Sequence, residues 1–286
     1  MTRLLLLPGD GIGPEIVAAT CDVLVAADRV FDLGLVLEEA EIGFAALNAH
    51  GSTIPQHVIA AARSADGIVL GPVSHNTYPP VADGGSNPSG MLRKALDLYA
   101  NIRPAATRDL LPSAVGRPFD LVIVRENTEG LYAGLEHYLT KKKDIAESLA
   151  VVTKEGSERI IDYAFKYARE NNRKKVTVCH KANILKYTQG LFLDVARNIS
   201  KNYPDIEFDE KIIDAACMHM VINPQQFDVV VCTNMFGDIL SDLTAGLVGG
   251  LGLIPGANIG KDAALFEDGT AEPTPLFRDL VRMVAR

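Results

Sequence analysis

Short apolar runs separated by helix-length amphipathic stretches open this chain: strand-like residues 4–7, a helical pattern over 14–27, strand-like 35–39, a helical pattern over 56–65 and strand-like 67–70. With short turns between them, these are βαβ units, and they predict an α/β fold with a largely parallel sheet flanked by helices. The rhythm resumes later. Strands are expected at 120–124, 149–153, 175–179, 207–213 and 229–232, and helices at 156–171, 190–202 and 237–248, so the middle of the chain reads as a second α/β unit. Between Gly71 and Gly90 lies a loop rich in Pro, Gly, Asn and Ser, too long for a simple connection and of the size that functional loops have.

Composition narrows the function classes. The 286 residues suffice for one large or two modest domains, and 48% hydrophobic with 22% charged residues is globular. No apolar run could span a bilayer, so no membrane is expected, and no secretory segment is evident, so a cytoplasmic location is expected. Cys21, Cys179, Cys217 and Cys232 show no C-x-x-C spacing and read as buried thiols of a reducing compartment. A formal charge of -8 argues against nucleic acid as a partner. An anionic ligand therefore needs a local group of cations.

Arginines supply candidates. Arg93 lies near a helix end in Leu92-Arg93-Lys94-Ala95-Leu96-Asp97-Leu98-Tyr99-Ala100-Asn101-Ile102-Arg103-Pro104, Arg103 stands in the extended stretch that follows, and Arg125 ends the strand at 121–124 and opens Glu126-Asn127-Thr128-Glu129-Gly130-Leu131-Tyr132. Guanidinium groups chelate carboxylates through paired hydrogen bonds, so convergence of the three would suit a di- or tricarboxylate; each alone would serve as a surface ion pair. Asp238 and Asp242 fall four residues apart, on one face of a helix that follows an apolar strand. Like charges one turn apart suit a hard divalent cation, although a helix N-terminus also favours acids through its dipole. Lys181 follows the strand ending at Cys179-His180, where partial desolvation would fit it to accept a proton. Asp214 begins another helix, and His180 and His219 read as structural. The first turn, Pro8-Gly9-Asp10-Gly11-Ile12-Gly13-Pro14-Glu15, permits close backbone approach by a ligand, yet its glycine spacing is not that of a dinucleotide fingerprint and Asp10 would stand close to any pyrophosphate.

Together, residues 8–15, 92–104, 125–132, 180–183 and 234–242 resemble, in order, the isocitrate/isopropylmalate dehydrogenase family of metal-dependent decarboxylating β-hydroxyacid dehydrogenases. The resemblance implies a two-domain isopropylmalate dehydrogenase-like fold with a cleft between a large domain (1–102 and 247–286) and a small dimerising domain (103–246). It further implies substrate carboxylates on Arg93, Arg103 and Arg125, with Asn183 beside them. Mg²⁺ or Mn²⁺ would sit on Asp238 and Asp242 with Asp214 of a second subunit, Lys181 of that subunit would act as base, and Tyr132 would be the proton donor. NAD would lie against Gly11, Ile12, Gly71, Pro72 and Glu267. Shared sites make the expected assembly a homodimer or higher oligomer.

The 127–137 and 190–260 stretches look most like the NAD-dependent isocitrate branch. That branch recognises isocitrate through a Ser-x-Asn pair; here Asn87 and Ser89 occupy those positions in swapped order, which leaves isocitrate, homoisocitrate and a tartrate-like acid open. After Phe266-Glu267 the family's His-Gly-Ser-Ala-Pro-Asp loop for adenosine is replaced by Asp268-Gly269-Thr270-Ala271-Glu272-Pro273, as an internal deletion would leave it, and the residues that tell NAD from NADP go with it. A short amphipathic helix is expected after Thr274. The alternative implied by that loss is a non-catalytic substrate-binding or regulatory subunit.

Overall fold

Residues 1–108 and 113–268 are described by the structure, a computed structural model. In chain order they form β1 (Thr2–Leu7), α1 (Gly13–Phe31), β2 (Leu35–Glu39), α2 (Gly43–His50), α3 (Gln56–Ser64), β3 (Gly67–Leu70), α4 (Pro88–Ala95), β4 (Ala100–Ala106) and β5 (Asp120–Glu126). There follow β6 (Glu136–Tyr138), β7 (Ala146–Ser148), α5 (Lys154–Glu170), β8 (Lys175–His180), α6 (Thr188–Ile199), β9 (Glu207–Ile212), α7 (Ile213–Ile222), β10 (Val229–Cys232), α8 (Asn234–Val248), β11 (Pro255–Ile259) and β12 (Ala264–Asp268). The chain divides into two compact units, Met1–Leu98 with the segment from Gly250 onward, and Tyr99–Gly249.

In the first unit the strands run in the order β2-β1-β3-β12-β11, parallel except for the antiparallel β11–β12 pair. The four leucines of β1 explain why it must lie inside. Leu5 and Leu7 join a cluster with Ile54, Val58 and Leu92, whereas Leu4 and Leu6 point the other way, onto Val17 and Leu24 of α1. Side chains alternate along a strand, so an unbroken apolar run requires cover on both faces. Each such side chain contributes on the order of 1.5–3 kcal/mol of burial. Pro14 stands in the first turn of α1, where its missing N–H costs nothing.

The second unit orders its strands β4-β5-β10-β8-β9. β10 lies parallel between β5 and β8, with Val229 level with Val122 and Val176, and all four of its residues are buried. β4 runs antiparallel to β5 and sets Asn101 opposite Arg125. Helix α5 covers the sheet with Ile160, Ile161, Ala164, Phe165 and Ala168, a stripe with the spacing of one helical face. Thr153 caps it by accepting a hydrogen bond from the Gly156 N–H at 2.9 Å. Consecutive parallel strands place their carboxyl ends at one edge, and β5, β8 and β10 deliver Arg125, Lys181 and Thr233 to that edge.

Some expected elements shift. The strand expected at 149–153 is not formed. Its place is taken by the exposed hairpin of β6 and β7, and Val151 makes an isolated bridge to Gly130. Lys141, Lys142 and Lys143 lie in the exposed connection of that hairpin. Helix α8 starts at Asn234, three residues before the expected Gly237, and α2 had no expected counterpart. The helix expected after Thr274 lies outside the described residues. Among the described residues no helix is long and apolar enough to cross a membrane.

Candidate active site

Arg125 is the penultimate residue of β5 and is almost fully buried. Its guanidinium is held by the first turns of α8: Nε and Nη2 donate to Asn234 Oδ1 at 3.0 and 2.7 Å, and Nη1 donates to Asp238 Oδ1. Helix and strand can come this close because Gly237 faces the arginine. A Cβ on Gly237 would stand 2.5 Å from Arg125 Cβ and 3.1 Å from its Cα. The Tyr132 hydroxyl donates to the other oxygen of Asp238, and the Arg125 guanidinium lies 5.0 Å from the centre of the Tyr132 ring. Asn234 completes the arrangement by donating from Nδ2 to the Glu129 carbonyl at 3.1 Å, which ties α8 to the loop that carries Tyr132.

This group is electrostatically poised. Burial first, and Asp238 next, raise the affinity of Asp242 for its proton, while Arg103 and Arg125 pull it back. Arg103 itself donates from Nε to Asn101 Oδ1 at 3.0 Å, and Asn101 is fully buried on β4. Burial and then Asp238 hold the Tyr132 phenol above its ordinary range, so it keeps its proton at neutral pH. Asp238 and Asp242 thus form a pair of oxygen donors under mutual repulsion beside two guanidinium groups. That donor set fits a hard divalent cation, which would relieve the repulsion. Among the described residues no three His, Cys, Asp or Glu side chains gather where a metal ion could be held, so none of them adds a third carboxylate to this pair.

Lys181 and Asp214 form a separate pair in the same unit. Lys181 follows β8, Asp214 lies in the first turn of α7, and the Lys181 ammonium donates to Asp214 Oδ1, which holds that carboxyl below its ordinary range. Asn183 is exposed in the turn after β8. His180 accepts at Nδ1 from the Ala182 N–H at 3.1 Å, and burial lowers its pKa, as suits a structural histidine.

The remaining expected site residues belong to the first unit. The Pro8–Gly13 turn and the Gly71–Pro72 turn pack backbone on backbone: the Asp10 N–H donates to the Pro72 carbonyl at 2.7 Å, and a Cβ on Gly71 would meet the Pro8 carbonyl carbon at 2.8 Å. Gly11 and Ile12 remain at the surface of this pair. Asp10 does not face outward, as the sequence suggested. Its carboxylate turns inward to the Phe44 and Ser74 N–H groups and the Tyr78 hydroxyl. Glu267, expected against the cofactor, is buried on β12 and accepts from Ser89 Oγ at 2.9 Å and Arg93 Nη2 at 2.5 Å, which groups it with residues expected to meet the substrate. Asn87 acts as the N-cap of α4, accepting from the Gly90 N–H at 3.3 Å.

Asn234 and Asn101 are site residues that the sequence reading passed over. One signal was available for Asn234: it precedes Asp238 by four residues and so shares its helical face. Asn101 carried no comparable mark, because only the antiparallel register of β4 sets it opposite Arg125.

Known proteins match this chain and its fold over most of its length. The sequence profile described as isocitrate/isopropylmalate dehydrogenase matches residues 3–273. The 3-isopropylmalate dehydrogenase of Archaeoglobus fulgidus is 42% identical, over 93% of this chain and 77% of that protein. An isocitrate/homoisocitrate dehydrogenase of Thermus thermophilus is 44% identical, over 93% and 76%. The crystal structure of isocitrate dehydrogenase from Methylococcus capsulatus superposes with a TM-score of 0.85 at 52% identity, covering 94% of this chain and 77% of that one. The chain therefore belongs to the isocitrate/isopropylmalate dehydrogenase family, whose members are metal- and NAD(P)-dependent decarboxylating dehydrogenases of β-hydroxyacids.

Proposed function

We propose that this protein oxidatively decarboxylates an isocitrate-like β-hydroxyacid with NAD as acceptor and Mg²⁺ or Mn²⁺ bound. The observation that carries the reading is the Arg125–Asp238–Tyr132 constellation beside Asp242. It brings together a buried guanidinium, a repelling acid pair suited to a cation and a protonated phenol around the first turns of α8. Retention of polar groups at 87 and 89 favours a substrate with a polar γ-substituent over the isopropyl group of isopropylmalate.

In this reading Arg103 and Arg125 bind substrate carboxylates, with Arg93 as a further carboxylate ligand and Asn183 as a hydrogen-bonding neighbour. Bound on Asp238 and Asp242, the cation would supply Lewis acidity at the substrate hydroxyl and adjacent carboxylate, and NAD, held by Gly11, Ile12, Gly71 and Pro72, would supply the hydride acceptor. Lys181, as its neutral amine, would take the hydroxyl proton as the carbinol carbon gives up its hydride. The C–C bond to the β-carboxylate then breaks, CO₂ departs, and the electron pair left on carbon takes a proton from Tyr132. The balance is hydroxyacid plus NAD⁺ to 2-oxoacid, CO₂ and NADH.

Lys181 and Asp214 act across a dimer. The apolar side chains of Met218, Val221, Ile222 and Ile239, each about half exposed on α7 and α8, support this. Mixing Lys181→Ala with Tyr132→Phe tests the reading. Each homodimer is expected to be inactive, and mixed dimers are expected to regain part of the turnover, since one of their sites has both residues intact. Unchanged turnover in Lys181→Ala alone would sink the mechanism.

A second reading, a substrate-binding or regulatory subunit, is favoured by the sequence after Glu267, where the adenosine loop of the family is replaced. Calorimetry separates the two: metal-dependent binding of isocitrate without binding of NAD supports the subunit.

A further inference from the structure

We propose that Asp10, with Tyr78 as its partner, is the positioning residue that fixes the spacing between the Gly11-Ile12 turn and the Gly71-Pro72 turn, and thereby sets the affinity for the dinucleotide. The inference rests on the proposed use of those turns for NAD. Its basis is a buried carboxylate at the meeting point of three segments. Oδ1 accepts from the Phe44 N–H at 2.8 Å, at the N-terminus of α2; Oδ2 accepts from the Ser74 N–H at 2.9 Å and from the Tyr78 hydroxyl. Through its own N–H, Asp10 binds the Pro72 carbonyl. One residue therefore ties the first turn to both ends of the segment from Pro72 to Tyr78 and to α2.

The surroundings are shaped for that carboxylate. Gly43 has φ +71, and a Cβ there would stand 2.7 Å from Asp10 Cγ, so the backbone of α2 closes directly over the acid. The Phe44 and Tyr78 rings, from the residues that supply two of its donors, meet edge to face at 5.0 Å. Two N–H groups and one hydroxyl converge on two oxygens. An ionised carboxylate accepts all three, whereas an amide presents one acceptor and one donor. A negative charge committed to two backbone N–H groups and one hydroxyl is a costly way to fold a surface turn, and it becomes intelligible where the separation of two ligand-holding turns must be fixed.

Asp10→Asn preserves size while setting an NH₂ group against a donor. Loss of charge-assisted hydrogen bonds that hold the 71–78 segment is expected to raise KM for NAD about tenfold, with kcat and KM for the hydroxyacid changed by less than about threefold. A merely structural role would lower stability without that split. Tyr78→Phe keeps the ring contact, removes one bond and is expected to raise KM for NAD by about threefold; it serves as the test if Asp10→Asn does not fold. KM for NAD unchanged in a folded variant overturns the assignment. Calorimetric titration and hydrogen exchange in the same variants distinguish failure of the inference from failure of the underlying reading. If the unmodified protein reduces no NAD, the proposed function fails, and Asp10 is judged on calorimetric titration with NAD, with exchange at Ser74 and Phe44 reporting whether the contacts were lost: weaker NAD binding in a folded variant with faster exchange supports it, and unchanged NAD binding, or no NAD binding by the unmodified protein, overturns it.

Discussion

Gly237→Ala tests whether the site depends on the close approach of α8 to β5. Considered as a helix residue alone, alanine in place of glycine is favourable by up to about 1 kcal/mol. The structure reverses the sign. The new methyl would lie 2.5 Å from Arg125 Cβ and 3.1 Å from its Cα, so it meets the strand backbone and the root of a side chain whose far end is already held by Asn234 and Asp238. Neither side can retreat without parting helix from strand, and overpacking of this kind costs about 1–3 kcal/mol. With the helix propensity set against it, the net loss is expected to be about 1–2 kcal/mol. Urea unfolding would show it as a lower midpoint at unchanged slope. Because the same shift moves the guanidinium fork, turnover should fall on the order of 100-fold even where the variant remains folded. A Gly237→Ala protein as stable as the parent, with turnover intact, would refute this packing of Arg125.

Three further outcomes are expected. Asn234→Ala leaves the Arg125 Nε and Nη2 groups without their acceptor and frees the Glu129 carbonyl, so unfolding should become easier by about 1–3 kcal/mol, read by denaturant melts. Ile222→Lys, on the half-exposed apolar face of α7, should shift sedimentation from dimer toward monomer and abolish turnover together; a dimer unaffected by the charge would remove the proposed interface. Glu126 is buried beside Arg125, and burial raises its pKa despite donors from Thr128 and Glu129. Its folded value thus lies above the unfolded one, so its contribution to stability is full below the unfolded pKa of about 4.3 and is lost as pH rises through the raised folded value. A carboxyl NMR titration finding Glu126 at or below the ordinary glutamate range would contradict this.

What the sequence made legible follows from burial. β1 and β10 were readable because strands covered on both faces are apolar without interruption, as at Leu4 to Leu7 and Val229 to Val231. α2 escaped notice because its eight residues show little contrast between faces, and it is fixed by tertiary contacts such as the Phe44 N–H to Asp10. The β6–β7 hairpin is exposed throughout, so no alternation of apolar residues marked its limits, and the apolar 149–153 run looked more strand-like than its neighbour. In the site, the charged groups themselves stood out: Arg125, Asp238, Asp242, Lys181 and Tyr132 all lie in recognisable motifs. Their partners did not. That Glu267 would take Ser89 and Arg93, residues more than a hundred and seventy positions away, depends on β12 lying beside β3, which no local pattern encodes.

Formation of NADH together with release of CO₂ by the purified protein, given isocitrate, NAD and Mg²⁺, bears most directly on the proposed chemistry. The mechanism predicts that both products form in equal amounts, that chelation of the metal stops both, and that Asp238→Asn stops both. No NADH from isocitrate, homoisocitrate or isopropylmalate, with either Mg²⁺ or Mn²⁺ present, would contradict it.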